Sequence, residues 1–155
     1  MNNKNNKNNK NNKKSPVLLI DDKAENLFSL KSILSDSNYL ILTAGSGHEG
    51  LSLLESNDVA CILLDVHMPE MNGFEVALTI KKNSKTKNIP IILVTATEFS
   101  MEKVKQGYES GALDYLMKPL SPHLVRSKVE LYCQLYQSNK KNRAFDQRAA
   151  KNNKA

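Results

Sequence analysis

The sequence predicts an α/β protein: one doubly wound parallel sheet of five strands, with helices on both faces. Three observations lead there. Short apolar runs alternate five times with stretches of helical periodicity. The runs lack polar alternation, the habit of strands buried on both faces. And 155 residues suffice for one domain with a real core, but not for two ordinary ones.

The elements follow in order. "VLLI" (17–20) is the first run and ends on Asp21-Asp22. Leu27, Leu30 and Leu34 then recur at helical spacing, with Phe28 and Ile33 beside them. "YLILT" (39–43) is the second run. After it, Ser46 and Glu49 have the spacing of a capping box, opening a short helix with Leu51 and Leu54. "VACILL" (59–64) is the third run and stops at Asp65; Phe74, Val76, Ala77, Leu78 and Ile80 then form a helix that closes in the polar loop 82–88. "IPIILVT" (89–95) is the fourth. Ser100 is placed to cap a helix with Met101, Val104 and Tyr108 on one face, which Gly111 ends. "ALDYLM" (112–117) is the fifth run and leads into Lys118-Pro119. Ser121-Pro122 sets the last helix start, with Val125, Val129, Tyr132 and Tyr136 on one stripe.

The net charge of +6 hides an uneven distribution. Residues 1–14 hold five lysines and no acid, and residues 138–155 hold six basic residues against Asp146. The body between them is therefore mildly acidic, at −4. A four-fold Asn-Asn-Lys repeat without apolar residues cannot pack, so 1–15 reads as a disordered leader and 138–155 as a basic tail or helical connector, around a folded domain at 16–137. Neither tail has the aromatic or arginine cluster of a nucleic-acid site, so direct nucleic-acid binding is not expected. No apolar stretch approaches membrane-spanning length and the N-terminus does not read as a secretory signal. Cys61 and Cys133 fit no metal-ligand spacing and read as buried free thiols of a cytoplasmic protein.

In a parallel sheet all strands end at one edge, where ligands bind. That edge collects Asp21, Asp22, Asp65, Thr95 and Lys118. Three carboxylates held together repel and resist joint ionisation. A hard divalent cation removes that conflict, and Mg²⁺ prefers a few carboxylates, waters and a phosphate oxygen. Asp65, at the tip of the central run, is then the expected nucleophile toward phosphorus. Mg²⁺ and Lys118 neutralise phosphoryl charge, while the Thr95 hydroxyl and backbone N–H groups donate hydrogen bonds to it.

This pattern resembles the receiver domain of two-component response regulators. The resemblance covers about residues 16–136 and rests on four ordered matches: Asp21-Asp22, "LLDVHMPEMNG" (63–73), "VTA" (94–96) and "DYLMKP" (114–119). It implies a flavodoxin-like (βα)₅ fold with strand order 2-1-3-4-5. It implies Asp65 as phosphoacceptor from a histidine kinase or histidine phosphotransfer protein. Mg²⁺ is then held by Asp22, Asp65 and the backbone carbonyl of His67, with Asp21 assisting. Thr95 and Lys118 become phosphoryl contacts, and Ala96 supplies a backbone N–H. Tyr115 matches the switch aromatic that turns inward as Thr95 moves, and Lys118-Pro119 matches a cis peptide. His67 and Thr97 stand where family members vary and influence the lifetime of the acyl phosphate.

Each residue also has a plainer reading. Asp21-Asp22 alone fits a helix cap, Thr95 a strand end, Lys118 a solvated charge, Tyr115 a core aromatic; the joint pattern carries the assignment. His67 more naturally points outward than to a metal through its imidazole. Two rival functions stand beside the phosphorylation switch. A haloacid-dehalogenase-type phosphohydrolase also uses a strand-end aspartate with Mg²⁺, but it needs an acid two residues on, where this chain has His67. A pseudo-receiver binds partners without phosphorylation. Leu124, Leu131 and Leu135 form a second stripe on the last helix, a face for a homodimer or an output domain.

Overall fold

The computed structural model describes residues 14–96, 101–109, 111–112 and 114–152. The expectations placed on the Asn/Lys leader, on Thr97 and on the Ser100 cap lie outside these residues, as do the side chains of Met101, Val104 and Tyr108. Five strands alternate with five helices: β1 Ser15–Ile20, α1 Ala24–Ile33, β2 Tyr39–Ala44, α2 Gly47–Ser56, β3 Cys61–Asp65, α3 Gly73–Lys82, β4 Ile91–Ala96, α4 Met101–Glu109, β5 Asp114–Lys118 and α5 Pro122–Asn152. All neighbouring strands pair in parallel, in the order β2-β1-β3-β4-β5. This is the doubly wound, flavodoxin-like sheet expected from the sequence.

The apolar runs are unbroken because each strand feeds two cores. Successive side chains point to opposite faces of a strand. Leu18, Ile20, Ile62, Leu64, Ile91 and Leu93 pack on one face under Leu54 of α2 and Val76 and Ile80 of α3. Val17, Leu19, Cys61, Leu63, Ile92 and Val94 pack on the other, under Leu30 of α1 and Val125 and Val129 of α5. There the thiols of Cys61 and Cys133 come together. Their hydrogen bond and burial push Cys61 up, and the same hydrogen bond draws Cys133 down.

Strand limits differ from the apolar runs by at most two residues. Pro90 has no N–H for the ladder and stays outside β4, though its carbonyl accepts from Ile62 N–H at 2.9 Å. Asp65 belongs to its strand rather than following it. At α2 the Ser46 hydroxyl accepts from Glu49 N–H at 3.1 Å, but the Glu49 carboxylate accepts from Gly45 N–H, one residue beyond the N-cap N–H that the standard box uses. Asn72 caps α3 in the same way, accepting from Glu75 N–H at 3.0 Å. Beyond α4, Gly111 takes a φ of 85°, the left-handed geometry that glycine allows. Phe28 departs from its neighbours: Leu30 and Leu34 are buried, while Phe28 is 74% exposed. No helix among the described residues is long and apolar enough to cross a membrane.

Candidate functional site

The strand register sets the site. Ile20 of β1 lies opposite Leu64, and Asp65 lies opposite Val94. Asp21, one step past Ile20, is thereby level with Asp65. Thr95 sits one step past Val94 opposite Met117, and Ala96 faces Lys118. Four separate chain segments converge on one edge, as the topology requires.

Asp65 ends the central strand. Its residue is 5% exposed, and the ladder continues past it through Val66 N–H to Val94 carbonyl at 3.0 Å. The chain then turns back, with Gly73 N–H donating to Val66 carbonyl at 2.9 Å. A Cβ on Gly73 would lie 2.4 Å from the Asp65 carbonyl oxygen and 2.8 Å from Val66 Cα. Only glycine lets α3 begin this close behind the acid. Glu70, in the same turn, holds a φ of 68°.

Asp21 is buried beside it, fixed by its backbone N–H on Ala44 carbonyl (3.1 Å) and by its carboxylate, which accepts from Lys23 N–H (3.0 Å). That bond shows an aspartate turn, while the α1 N-cap is Lys23, with no side-chain cap. Asp21, Asp22 and Asp65 each offer one carboxylate oxygen, all within 4.8 Å of one another. Lys118 Nζ approaches Asp65 Oδ1 at 3.5 Å. Burial pushes the Asp65 carboxyl above the ordinary carboxylate range; the Asp21 charge adds to this, and Lys118 pulls the other way without prevailing. One ammonium does not balance three acids. Hard oxygen donors with unbalanced negative charge fit a small divalent cation such as Mg²⁺.

Around this cluster, Thr95 is half-buried, Ala96 and His67 are exposed, and the Lys118-Pro119 peptide is cis. The Tyr115 ring is half-buried against the core, with its hydroxyl over the backbone of Gly107: a Cβ there would lie 1.4 Å from it. Every predicted site residue with a described position therefore lies at this edge or on the strands that form it. A cleft of about 300 Å³ opens beside the acids between α1 and the β5–α5 turn, lined in part by Asn26, Leu30, Lys118 and Leu120. Sequence reasoning did not find Asn26, nor the role of Gly73 as the backing of Asp65. In the sequence Gly73 is only the last residue of the "LLDVHMPEMNG" match, and its close approach to Asp65 appears only in three dimensions.

A family profile described as response regulator receiver domain matches residues 17–130. The chain is 38% identical over 122 residues to the transcriptional regulatory protein SrrA of Staphylococcus aureus, covering 79% of this chain and 49% of that protein. It is 37% identical over 118 residues to a probable cyclic di-GMP phosphodiesterase of Vibrio cholerae, covering 76% of this chain and 26% of that one. The chain thus spans half or less of the length of these curated relatives. Among solved structures, the chemotaxis protein CheY4 of Vibrio cholerae superposes with a TM-score of 0.72 at 31% identity, covering 77% of this chain and 98% of that one. The receiver domain of a signal transduction histidine kinase from Syntrophus aciditrophicus gives 0.71 at 28% identity, covering 77% and 90%. With sheet order, strand-end acids and these matches in agreement, the chain belongs to the response regulator receiver domain family, the signalling switch of two-component systems.

Proposed function

We propose that this receiver is phosphorylated on Asp65, in the cytoplasm, by a histidine kinase or histidine phosphotransfer protein, and that the phosphoryl group switches its conformation toward an output partner. The observation that carries the reading is Asp65 itself: a buried strand-end carboxylate, 3.5 Å from Lys118 Nζ and clustered with Asp21 and Asp22. Asp65 Oδ attacks phosphorus while the P–N bond to the donor imidazole breaks; the imidazole, protonated on its other nitrogen, leaves neutral. Asp21, Asp22, Asp65 and the His67 carbonyl are the residues to hold Mg²⁺. When bound, Mg²⁺ supplies charge neutralisation for the three acids and the phosphoryl oxygens. Lys118 pairs with a phosphoryl oxygen once Asp65 carries the acyl phosphate, and the Thr95 hydroxyl and Ala96 N–H donate to the others. Thr95 and Tyr115 then carry the change outward, and a gap of a few kcal/mol between two states suffices.

The test is incubation with Mg²⁺ and acetyl phosphate. The expected product is a single acid-stable, hydroxylamine-labile phosphoryl group that is lost in Asp65→Asn. Steady phosphate release from many phosphomonoesters would make the chain a hydrolase, and no label from any donor would make it a pseudo-receiver.

A further inference from the structure

Two thiols meet under α5. Cys61 opens β3 and Cys133 lies within α5; both are free, and the chain has no other cysteine. Their side chains share the core between the sheet and helices α1 and α5. The two are not equivalent. The Cys61 S–H donates to the Cys133 sulfur, and the Ser15 hydroxyl donates to the same sulfur. Gln137 Nε2 in turn donates to Ser15 Oγ at 3.0 Å, which leaves the Ser15 hydrogen for Cys133.

Access separates them further. A cleft of about 720 Å³ lies between α1 and α5, beside the first residues of β1 and β2. This is the edge of the sheet away from Asp65. Cys133 lines the cleft at 5% exposure, whereas Cys61 does not line it and is 0% exposed. A small molecule in the cleft therefore meets Cys133 first, with Cys61 in contact behind it. Arg126 and Lys141 share the lining with Asp36 and Glu130, so the cleft favours neither sign of charge and admits an uncharged reagent. One thiol at a cleft wall with two hydrogen-bond donors, and a second buried against it, is the arrangement of an attacking and a resolving cysteine. We infer that Cys133 and Cys61 are a hydroperoxide-reactive dithiol, oxidised to an intramolecular disulfide that fastens α5 to β3.

The Cys133 thiolate attacks one oxygen of the hydroperoxide, the O–O bond breaks, and the departing oxygen takes the proton that the thiol released. Cys133 is then a sulfenic acid. The Cys61 sulfur attacks that sulfur, the S–O bond breaks, and hydroxide leaves as water with the Cys61 proton. Two thiols and ROOH thus give a disulfide, ROH and water, two electrons passing from sulfur to oxygen. The hydrogen bonds set the order of events. The bond from Cys61 draws the Cys133 thiol down against the opposing effect of burial, and Ser15 assists. Cys61, held up by the same bond and by burial, stays protonated until the second step. The inference does not rest on phosphorylation at Asp65.

The test is exposure of the full folded chain to dilute hydrogen peroxide, followed by thiol titration and mass spectrometry after denaturation. Both thiols should disappear together, with a mass loss of about 2 Da that dithiothreitol reverses. The product should run as a monomer without reductant. Thiol loss should be about tenfold faster in the folded chain than in urea, because only the fold supplies the donors. Cys61→Ala removes the resolving thiol, so dimedone should trap the sulfenic acid at Cys133. Ser15→Ala should slow thiol loss several-fold and leave the end product unchanged. Thiols that survive in the folded chain but oxidise in urea overturn the inference, and this comparison needs no variant. So does a cross-linked dimer in place of the internal bond, or dimedone labelling of Cys61 in Cys133→Ala as fast as that of Cys133 in Cys61→Ala.

Discussion

The two halves of the site are built to different standards. The acid half, at the ends of β1 and β3, rests on strands buried along nearly their whole length. Asp21 is tied by its N–H to the Ala44 carbonyl and by its carboxylate to Lys23 N–H, and Asp65 is backed by the main chain at Gly73. The cation and hydroxyl half, at the ends of β4 and β5, emerges from the core: Thr95 and Tyr115 are half-buried, Ala96 and Met117 exposed. Lys118 reaches the acids along a flexible four-carbon stem. If Asp65 is phosphorylated as proposed, the contrast is a division of labour: the half that aims the carboxylate is held by backbone, and the half that would respond is held by side chains that can give way.

The largest effect is expected where the rigid half is struck. Gly73→Ala places a Cβ 2.4 Å from the Asp65 carbonyl oxygen, and neither backbone can retreat without breaking the ladder. We expect a loss of about 2–4 kcal/mol in denaturant unfolding, together with weakened Mg²⁺ binding. A near-neutral substitution would show that the acid is not fixed from behind.

Asp65→Asn moves stability the other way in the absence of divalent cations. The Asp65 carboxyl is raised by burial and by Asp21, so between its unfolded and folded pKa the native state binds more protons than the unfolded one. Stability then falls as pH rises through that window, and the penalty is complete above the folded value. The asparagine variant lacks this term. It should melt higher than the parent at neutral pH and lose that component of the acid-side pH slope. Mg²⁺ at a hundredfold excess over its Kd should stabilise the parent by about 2.7 kcal/mol and the variant far less. Equal melting of the two proteins without metal would mean that Lys118 already balances the cluster.

Much of this was legible before any coordinates. The five runs gave the layers, and the rule that parallel strands end together joined Asp21, Asp22, Asp65 and Lys118 from positions as much as 97 residues apart. Other features depend on three-dimensional distance rather than pattern. Helical periodicity grouped Phe28 with its buried neighbours, but an arc on a helix does not specify where the packed face ends, and Phe28 is outside it. Cys61 and Cys133 meet only because α5 crosses β3. The backing role of Gly73 needs the return of the chain onto Val66, which a turn signal does not encode.

Lys118→Ala separates charge balance from signalling. Removing a cation 3.5 Å from Asp65 Oδ1 deepens the negative potential at the cluster, so Mg²⁺ affinity should hold or rise by up to about tenfold. The phosphorylated variant should nevertheless fail to shift toward its active conformation, measured as loss of the phosphorylation-dependent change in backbone amide chemical shifts. A full shift would remove Lys118 from the proposed switch.

The smallest effect is expected from Gly107→Ala, although its clash is the tighter one on paper. The new Cβ would lie 1.4 Å from the Tyr115 hydroxyl, against 2.4 Å for Gly73. What it meets is the far end of a side chain with two rotatable bonds, and Ala gains about 1 kcal/mol over Gly inside a helix. Net stability should therefore change by no more than about 1 kcal/mol, the propensity gain offsetting the lost contact of the ring. The Tyr115 ring, however, must leave its place. Its aromatic proton resonances should move without phosphorylation, while those of the buried strands near Asp65 stay put. A destabilisation as large as that of Gly73→Ala would erase the distinction between the two halves, because Tyr115 would then be held as firmly as the acid it answers to.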